Sequence, residues 1–493
     1  MASRIRWLGA FLLLCFAILL LQLSNIQVVQ AHKYATAPAN PAVIAAREIQ
    51  PRGIIQSADG IVLAQSVAAT GHGSYKYQRQ YPTGPLFSQI VGYLSTNYGA
   101  TGVESSYNQY LVAHNKPVKT LGDLLTTTTV TDTVTLTMSS VLQQEAVKAL
   151  AGRNGAIVVL DPSTGAVEAM YSNPTFDPNP LTVNSAAVQA AAFKAINTRD
   201  PVTGFAPAVS LAYQDIFPPG STFKTVTTAA TYDHAPPLVN TPMPGFSCIP
   251  PHYFGGQTTP LCNYGASYCG GTIAVMLPPS CDTGYAILGT RVGAPSMAAE
   301  ANAFGFNQQP PIDLPHSAFQ VSQFLQPACY QGAQVYLAFS SIGQKCTIAS
   351  PLQMALVAAA FADDGSIMTP HVVQQVRDSQ GSLVTTYRPT TWLTATSPAT
   401  AAAVTKLMEE VVQYGTASGV GFPPQDQVAA KTGTAQVGVG NTATTDWMIA
   451  FAPASHPKVA IAVVIPNQSL SATGAEVSGP VVNQMIQAAL ALP

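Results

Sequence analysis

The chain is 493 residues long, only 9% of its residues are charged, and its formal net charge is −2. That length allows roughly two or three domains, and the charged fraction lies far below the roughly 25% usual in soluble domains. No basic stripe points to nucleic acid and no acidic tail to a charged partner; Thr, Ser, Gln and Asn supply the polarity of what reads as a loop-rich globular protein.

Residues 1–31 differ from the rest. Arg4 and Arg6 precede an apolar run over residues 7–21, which weakens through Gln22-Leu23-Ser24-Asn25-Ile26. The pattern is that of a signal peptide or of a single membrane anchor. Val29-Gln30-Ala31 offers a small-residue cleavage site. The polar gap before it is long, however, and flanking residues can complete the roughly 20 that a span needs. The expectation is an anchor, its N-terminus held cytoplasmic by the arginines and the bulk of the chain outside. The cysteines fit an exported chain. Cys15 falls in the anchor, while Cys248, Cys262, Cys269, Cys281, Cys329 and Cys346 form an even set. An oxidising compartment favours disulfides, but six cysteines allow fifteen pairings. His252 near Cys262 and Cys269 has no common zinc spacing, so neither metal nor cofactor is expected.

Residues 35–41 read as a Pro/Ala spacer. Arg52-Gly53-Ile54-Ile55-Gln56-Ser57-Ala58-Asp59-Gly60-Ile61-Val62-Leu63-Ala64 is a strand, an Asp-Gly turn and a strand. Arg79-Gln80-Tyr81-Pro82 then leads to Gly92-Tyr93 and to Gly102-Val103-Glu104-Ser105-Ser106-Tyr107, which read as a small α+β module with two glycine turns. The threonine run at residues 126–129 reads as an exposed strand or loop.

A second unit begins near Val134. Residues 139–150 have helical spacing, with Val141, Leu142, Ala146, Val147 and Leu150 on one side. Residues 155–170 read as strand, turn and strand; residues 447–452 and 459–465 as further strands; and residues 480–490 as a closing helix. The strands from both ends are expected to share one antiparallel sheet, with helices packed against it. Residues 233–322, rich in Pro, Gly and Cys, resist assignment element by element.

Three short motifs carry the chemistry. Pro218-Pro219-Gly220-Ser221-Thr222-Phe223-Lys224 reads as a turn opening a helix over residues 221–230. Ser221 and Lys224, three apart, share a helix face. A lysine whose pKa is lowered by burial or a neighbouring cation can take a serine's proton, and the helix N-terminus aims N–H groups at a developing oxyanion. Alone, the pattern is weak, since an N-cap serine with a solvated lysine satisfies it. Ser280-Cys281-Asp282 offers a second hydroxyl and a polar side chain on a loop. Lys431-Thr432-Gly433-Thr434 reads as a strand, with Lys431 and Thr432 on opposite faces. Gly433, lacking a Cβ, is read as leaving the strand edge open to a flat acyl group. K-T-G alone is also an ordinary strand with a bulge. The order S-x-x-K, S-x-[ND], K-T-G in an exported chain is that of serine enzymes that react with β-lactams.

On these residues the chain resembles the class B penicillin-binding proteins, peptidoglycan D,D-transpeptidases without a polymerase domain, and most of all their actinobacterial branch. The resemblance covers essentially the whole chain. Residues 52–64 resemble the family's R-G-x-I-x-D-R-x-G hairpin, departing at Gln56-Ser57-Ala58, and residues 102–107 its G-x-E-x-x-Y stretch. Asp161-Pro162 and Phe176-Asp177-Pro178-Asn179 resemble the start of its catalytic domain. Ser341-Ile342-Gly343-Gln344 and Pro351-Leu352-Gln353-Met354-Ala355 resemble its S-I-G-Q…P-L-Q-M segment, with Lys345 where a glycine is usual.

The resemblance implies an α+β chain with an anchor at residues 1–34, a dimerisation-like pedestal at 35–135 and a β-lactamase-like transpeptidase domain at 136–493. It implies a single-pass protein of the cell membrane with its catalytic domain extracytoplasmic. Ser221 is the implied nucleophile and Lys224 its base. Ser280 relays a proton to the leaving D-alanine, and Lys431 keeps the site cationic and helps hold Lys224 neutral. Thr432 and Thr434 bind the donor's carboxylate, Asp282 and Gly433 complete the substrate site, and the N–H groups of Ser221 and Thr434 form the oxyanion hole. The implied partners are a D-Ala-D-Ala stem-peptide donor, an amine acceptor, β-lactams and a membrane glycosyltransferase that polymerises the glycan. The rivals are a serine β-lactamase and a silent β-lactam-binding divisome scaffold.

Asn is usual where Asp282 stands. An ionised Asp only accepts hydrogen bonds, so it is expected to stay charged between the lysines, with Lys431 its main partner or the two sharing it. Cys281 is expected in a disulfide with Cys262 or Cys269 that pins the Ser280 loop, the alternative being a buried free thiol.

Overall fold

A computed structural model describes residues 2–30, 50–69, 76–115, 129–256, 258–438 and 442–492. The spacer at 35–41 and residues 126–128 of the threonine run lie outside the described residues. In chain order, α1 is Ala2–Ser24, continued by one wide turn at Asn25–Val29. Strands β1 (Ile55–Gln56), β2 (Val62–Ala68) and β3 (Tyr77–Gln80) precede the short helix α2 (Gly102–Ser106) and strand β4 (Thr133–Leu136). Helix α3 (Ser140–Leu150) leads into β5 (Gly155–Leu160) and β6 (Val167–Asn173). Helices α4 (Lys224–His234), α5 (Asp282–Val292) and α6 (Pro351–Ala362) follow. The chain closes with β7 (Val373–Arg377), β8 (Leu383–Thr386), β9 (Ala429–Val437), β10 (Ala443–Ala452), β11 (Val459–Gln468), α7 (Gly474–Val477) and α8 (Gly479–Leu490).

Local sequence explains these boundaries. Ser57 to Gly60 turns the β1–β2 hairpin, with Gly60 at φ 80°, the left-handed region open to glycine. Asp59 in that turn accepts from the N–H and hydroxyl of Ser140, tying the hairpin to the start of α3. Ser139 caps α3 by accepting from the Leu142 N–H, which satisfies an orphan donor of the first turn. Leu142, Ala146, Ala149 and Leu150 turn inward, but Val141 and Val147 are exposed. The expected single apolar side is therefore narrower and rotated. Those two valines flank the buried stripe rather than lie on it.

The first sheet runs β8-β7-β4-β1-β2-β3. β1 pairs parallel with β4 and antiparallel with β2. Strands from residues 373–386 thus complete a sheet begun more than 200 residues earlier, a pairing that a division at residue 135 does not anticipate. The module is tied internally by a buried carboxylate. Glu104 accepts from Arg52 Nε at 2.6 Å and Arg79 Nε at 2.5 Å, and is fully buried. Burial pushes its pKa up, but Arg79 and Arg52 pull it below the ordinary carboxylate range. Arg52 Nη1 also donates to Asn108 and Nη2 to the Glu104 carbonyl. The segments that begin at Arg52, Arg79 and Gly102 meet at this ion cluster.

The second sheet runs β6-β5-β11-β10-β9, with every neighbouring pair antiparallel. Strands from both ends of the unit share it, as expected. β5 is buried throughout and β11 from Val459 to Pro466, which is why both read as unbroken apolar runs. Helices flank the sheet: α6 packs on β11, β10 and β5, while α3 and α8 pack on each other and on β6 and β11. Asn179 exchanges hydrogen bonds with both backbone groups of Tyr81, and Tyr107 Oη donates to Asp313. These contacts set the second unit on the first.

α1 lies apart from both sheets, and its large apolar side chains from Trp7 to Leu23 are exposed. Residues Arg6–Val29 form a helical stretch of 24 residues long and apolar enough to cross a membrane.

Candidate active site

The site is built where α4 begins against the edge strand β9. Gly220–Phe223 forms a tight turn of helix that runs directly into α4. This turn lies against β9 because Gly433 has no side chain. A Cβ there would meet the Pro219 carbonyl oxygen at 2.7 Å and Thr222 at 2.9 Å. The bare face of Gly433 is filled by the Ser221 turn, whereas the edge read as open to a flat acyl group is the outer edge of β9, which ends the sheet. Trp447, opposite Gly433 in register, holds the same turn by donating from Nε1 to the Pro218 carbonyl. From the other side, Gly343 approaches so closely that its Cβ would lie 2.0 Å from the Gly220 oxygen. Lys345, just beyond, has φ 56°, which accounts for glycine being the easier residue there.

Both lysines are completely buried. Lys224 Nζ donates to the Ser280 carbonyl at 2.6 Å, to Asp282 Oδ1 at 2.7 Å and to Ser280 Oγ at 3.2 Å. Its ammonium also lies 5.5 Å from the centre of the Tyr285 ring, a favourable cation–π placement. Lys431 Nζ donates to Ser280 Oγ at 2.9 Å and to the Thr432 carbonyl at 2.9 Å. Ser280, at φ 60°, thus bridges the two amines. Ser221 Oγ donates to Asp282 Oδ1 at 3.4 Å, and no hydrogen bond joins it to Lys224 among the described residues.

The electrostatics follow from burial. Desolvation lowers the pKa of Lys224, opposed by the Asp282 carboxylate. Desolvation, then repulsion from Lys224, pushes Lys431 well below the ordinary lysine range, with Asp282 opposing more weakly. The expectation that Lys431 is the main partner of Asp282, or an equal one, is corrected. Asp282 stands at the first turn of α5 facing α4, so its ion pair is with Lys224, and Lys431 is turned to Ser280 instead.

The Ser280 loop is pinned twice. Cys281 is bonded to Cys269, one of its two expected partners. Cys248–Cys262 and Cys329–Cys346 are the other bridges. Asn263 Oδ1 accepts from the Thr283 N–H, while its amide donates to the carbonyls of Phe246 and Ser267.

Thr432 and Thr434 lie on one face of β9. Thr432 is buried and its hydroxyl is 2.6 Å from that of Thr416. Thr434 is half-buried and accepts from the Gly474 N–H at 2.9 Å. Sequence reasoning missed Thr416, Tyr285, Asn263 and Asp446, which is opposite Thr434 in register. Only Asp446 left a signal, as a lone charge in the apolar strand ending Trp447-Met448-Ile449-Ala450-Phe451. The described residues include no cluster of His, Cys, Asp and Glu able to hold a metal.

A serine beside two buried lysines and a bridging hydroxyl can do nucleophilic acyl transfer. Comparison with known proteins agrees. Residues 155–487 match the penicillin binding protein transpeptidase domain, and residues 52–133 the penicillin binding protein A dimerisation domain. The chain is 33% identical to the peptidoglycan D,D-transpeptidase PbpA of Mycolicibacterium smegmatis and 32% identical to that of Mycobacterium tuberculosis, each over 99% of both chains. The ceftriaxone acyl-enzyme complex of penicillin-binding protein A from M. tuberculosis superposes with a TM-score of 0.79 at 31% identity, over 91% of this chain and 100% of that one.

Proposed function

The chain belongs to the penicillin-binding protein transpeptidases, and from that premise we propose how its residues divide the work. It is a peptidoglycan D,D-transpeptidase and a β-lactam target, acting through a serine acyl-enzyme. Ser221 is the nucleophile, Lys224 its base, and Ser280 and Lys431 the relay behind them. The observation that carries this division is Ser280 Oγ lying within hydrogen-bond reach of both lysine Nζ atoms.

In the resting site Asp282 favours a proton on Lys224, the wrong state for a base. Thr432 and Thr434 receive the donor's terminal carboxylate beside Lys431. That negative charge raises the proton affinity of Lys431, so a proton passes from Lys224 through Ser280 Oγ to Lys431. Lys224 is then neutral and takes the Ser221 proton as Oγ attacks the penultimate D-Ala carbonyl. The N–H groups of Ser221 and Thr434 hold the oxyanion, and the proton returns through Ser280 to the departing D-alanine amine. An amine from a neighbouring stem peptide resolves the acyl-enzyme. Among the described residues no glutamate hydrogen-bonds to Ser221, Lys224, Ser280 or Lys431, which favours a long-lived β-lactam adduct over turnover.

Arg4 and Arg6 at the N-terminal end of the Arg6–Val29 stretch favour a single span with a cytoplasmic N-terminus and the site outside. The domain division is read as anchor to residue 34, pedestal from 35 to 135, and transpeptidase from 136 with the loan of β7 and β8 to the pedestal sheet. The two matched regions correspond to pedestal and transpeptidase, so glycan strands are read as coming from a membrane glycosyltransferase partner.

The test is mass spectrometry after exposure to penicillin G. A single adduct on Ser221 that persists for hours and is absent from Ser221→Ala is expected. Rapid loss of the adduct identifies a β-lactamase, and an unlabelled wild type identifies a silent scaffold.

A further inference from the structure

Asp446 lies directly opposite Thr434 in the β9–β10 register. It is completely buried, and its Oδ2 accepts a long 3.3 Å bond from Thr444. Its Oδ1 has no hydrogen-bond partner among the described residues. A buried carboxyl with an unpartnered oxygen is costly, and the acyl-transfer steps above do not use it. The other side of the pair is equally specific. The Thr434 hydroxyl accepts from the Gly474 N–H, and it has a single proton to donate. The donor's carboxylate and the Asp446 carboxyl compete for that proton.

We propose that Asp446 is a positioning residue that governs capture of the donor's carboxylate through Thr434. Ionised, it draws the Thr434 hydroxyl proton inward and adds a negative charge behind the carboxylate subsite. Protonated, it releases the hydroxyl to the donor. This rests on the reading of Thr434 as a carboxylate-binding residue.

The carboxyl is placed to switch near neutral pH. Burial pushes it up to about 6, against the pull of the Thr444 and Thr434 hydroxyls and with a further push from Glu476. The elements packed on β10 are β9, β11, the Gly220–Phe223 turn, α6, α7 and α8. Their only charged residues are Lys431 on β9, turned to Ser280, and Glu476 on α7. No cation on these elements neutralises Asp446.

The experiment measures the second-order rate constant for acylation of the detergent-solubilised full chain by penicillin G between pH 5 and pH 8. Wild type, Asp446→Asn and Thr434→Val are compared, with Asp446→Ala as the second replacement should Asp446→Asn not fold. Effects of the catalytic lysines are common to wild type and the Asp446 variants and cancel in their ratio. The expected ratio of wild type to Asp446→Asn is near one at the acid end and falls by about tenfold at the alkaline end, the scale of one hydrogen bond to a charged group. A flat ratio with a slowed Thr434→Val overturns the role of Asp446 and leaves the Thr434 reading standing. A Thr434→Val variant as fast as wild type overturns both.

Discussion

Lys224 Nζ and Asp282 Oδ1 stand 2.7 Å apart, the lysine wholly buried and the carboxylate partly open to solvent. The same carboxylate oxygen accepts from Ser221 Oγ. One Asp oxygen therefore favours a proton on Lys224, against the effect of burial, and engages the Ser221 hydroxyl. That arrangement is stable at rest and must be broken for acylation.

Replacing Asp282 by Asn removes the charge and keeps the shape. Lys224 should lose proton affinity once the opposite charge beside it is gone. The limb of the penicillin acylation rate that rises with pH should move to lower pH, and the rate at neutral pH should stay equal or rise by up to about tenfold. Stopped-flow acylation across pH checks this. Loss of acylation in Asp282→Asn would show that the carboxylate itself takes part.

The bridge between Cys269 and Cys281 closes a short loop, with a sequence separation of 12, directly behind Ser280. The Cys269→Ser/Cys281→Ser double variant should lose about 3 kcal/mol of stability and melt at lower temperature. Its acylation should slow more than about tenfold even where circular dichroism shows it folded, as expected when a group of the catalytic array is misplaced. Full acylation in the folded double variant would show that Asn263 alone holds the loop.

Glu104→Gln would leave Arg52 and Arg79 buried without their anion. A loss of about 3–5 kcal/mol is expected for breaking such a buried cluster, read as a lower melting temperature. The pH dependence has a defined sign. The folded Glu104 pKa lies below its ordinary, unfolded value, so its contribution is present above that ordinary value and is lost as pH falls through the lower folded pKa. Acid melting of the variant should therefore be flatter than that of wild type below about pH 4.5.

The anchor reading is checked by N-terminal sequencing of the membrane-extracted protein. Retention of residues 1–31 is expected. A mature chain beginning at His32 would identify a signal peptide instead.

The sequence by itself determined the catalytic chemistry and most of the central sheet. Short motifs such as Ser221 to Lys224 and Lys431 to Thr434 encode local geometry, and local geometry survives without knowledge of distant neighbours. Unbroken apolar runs at 155–160 and 459–465 have one stable home, the buried middle of a sheet. The tertiary structure alone decided what depends on direction in space. It set which lysine Asp282 faces, which side of Gly433 is already filled, and which cysteine meets Cys281. It also paired β7 and β8 with a sheet begun near residue 55 and put Val141 and Val147 in solvent. Asp446 belongs to the same class. Its lone charge is legible in the strand, but its place opposite Thr434 exists only through the register of two neighbouring strands. A one-residue slip would have turned it to the other face.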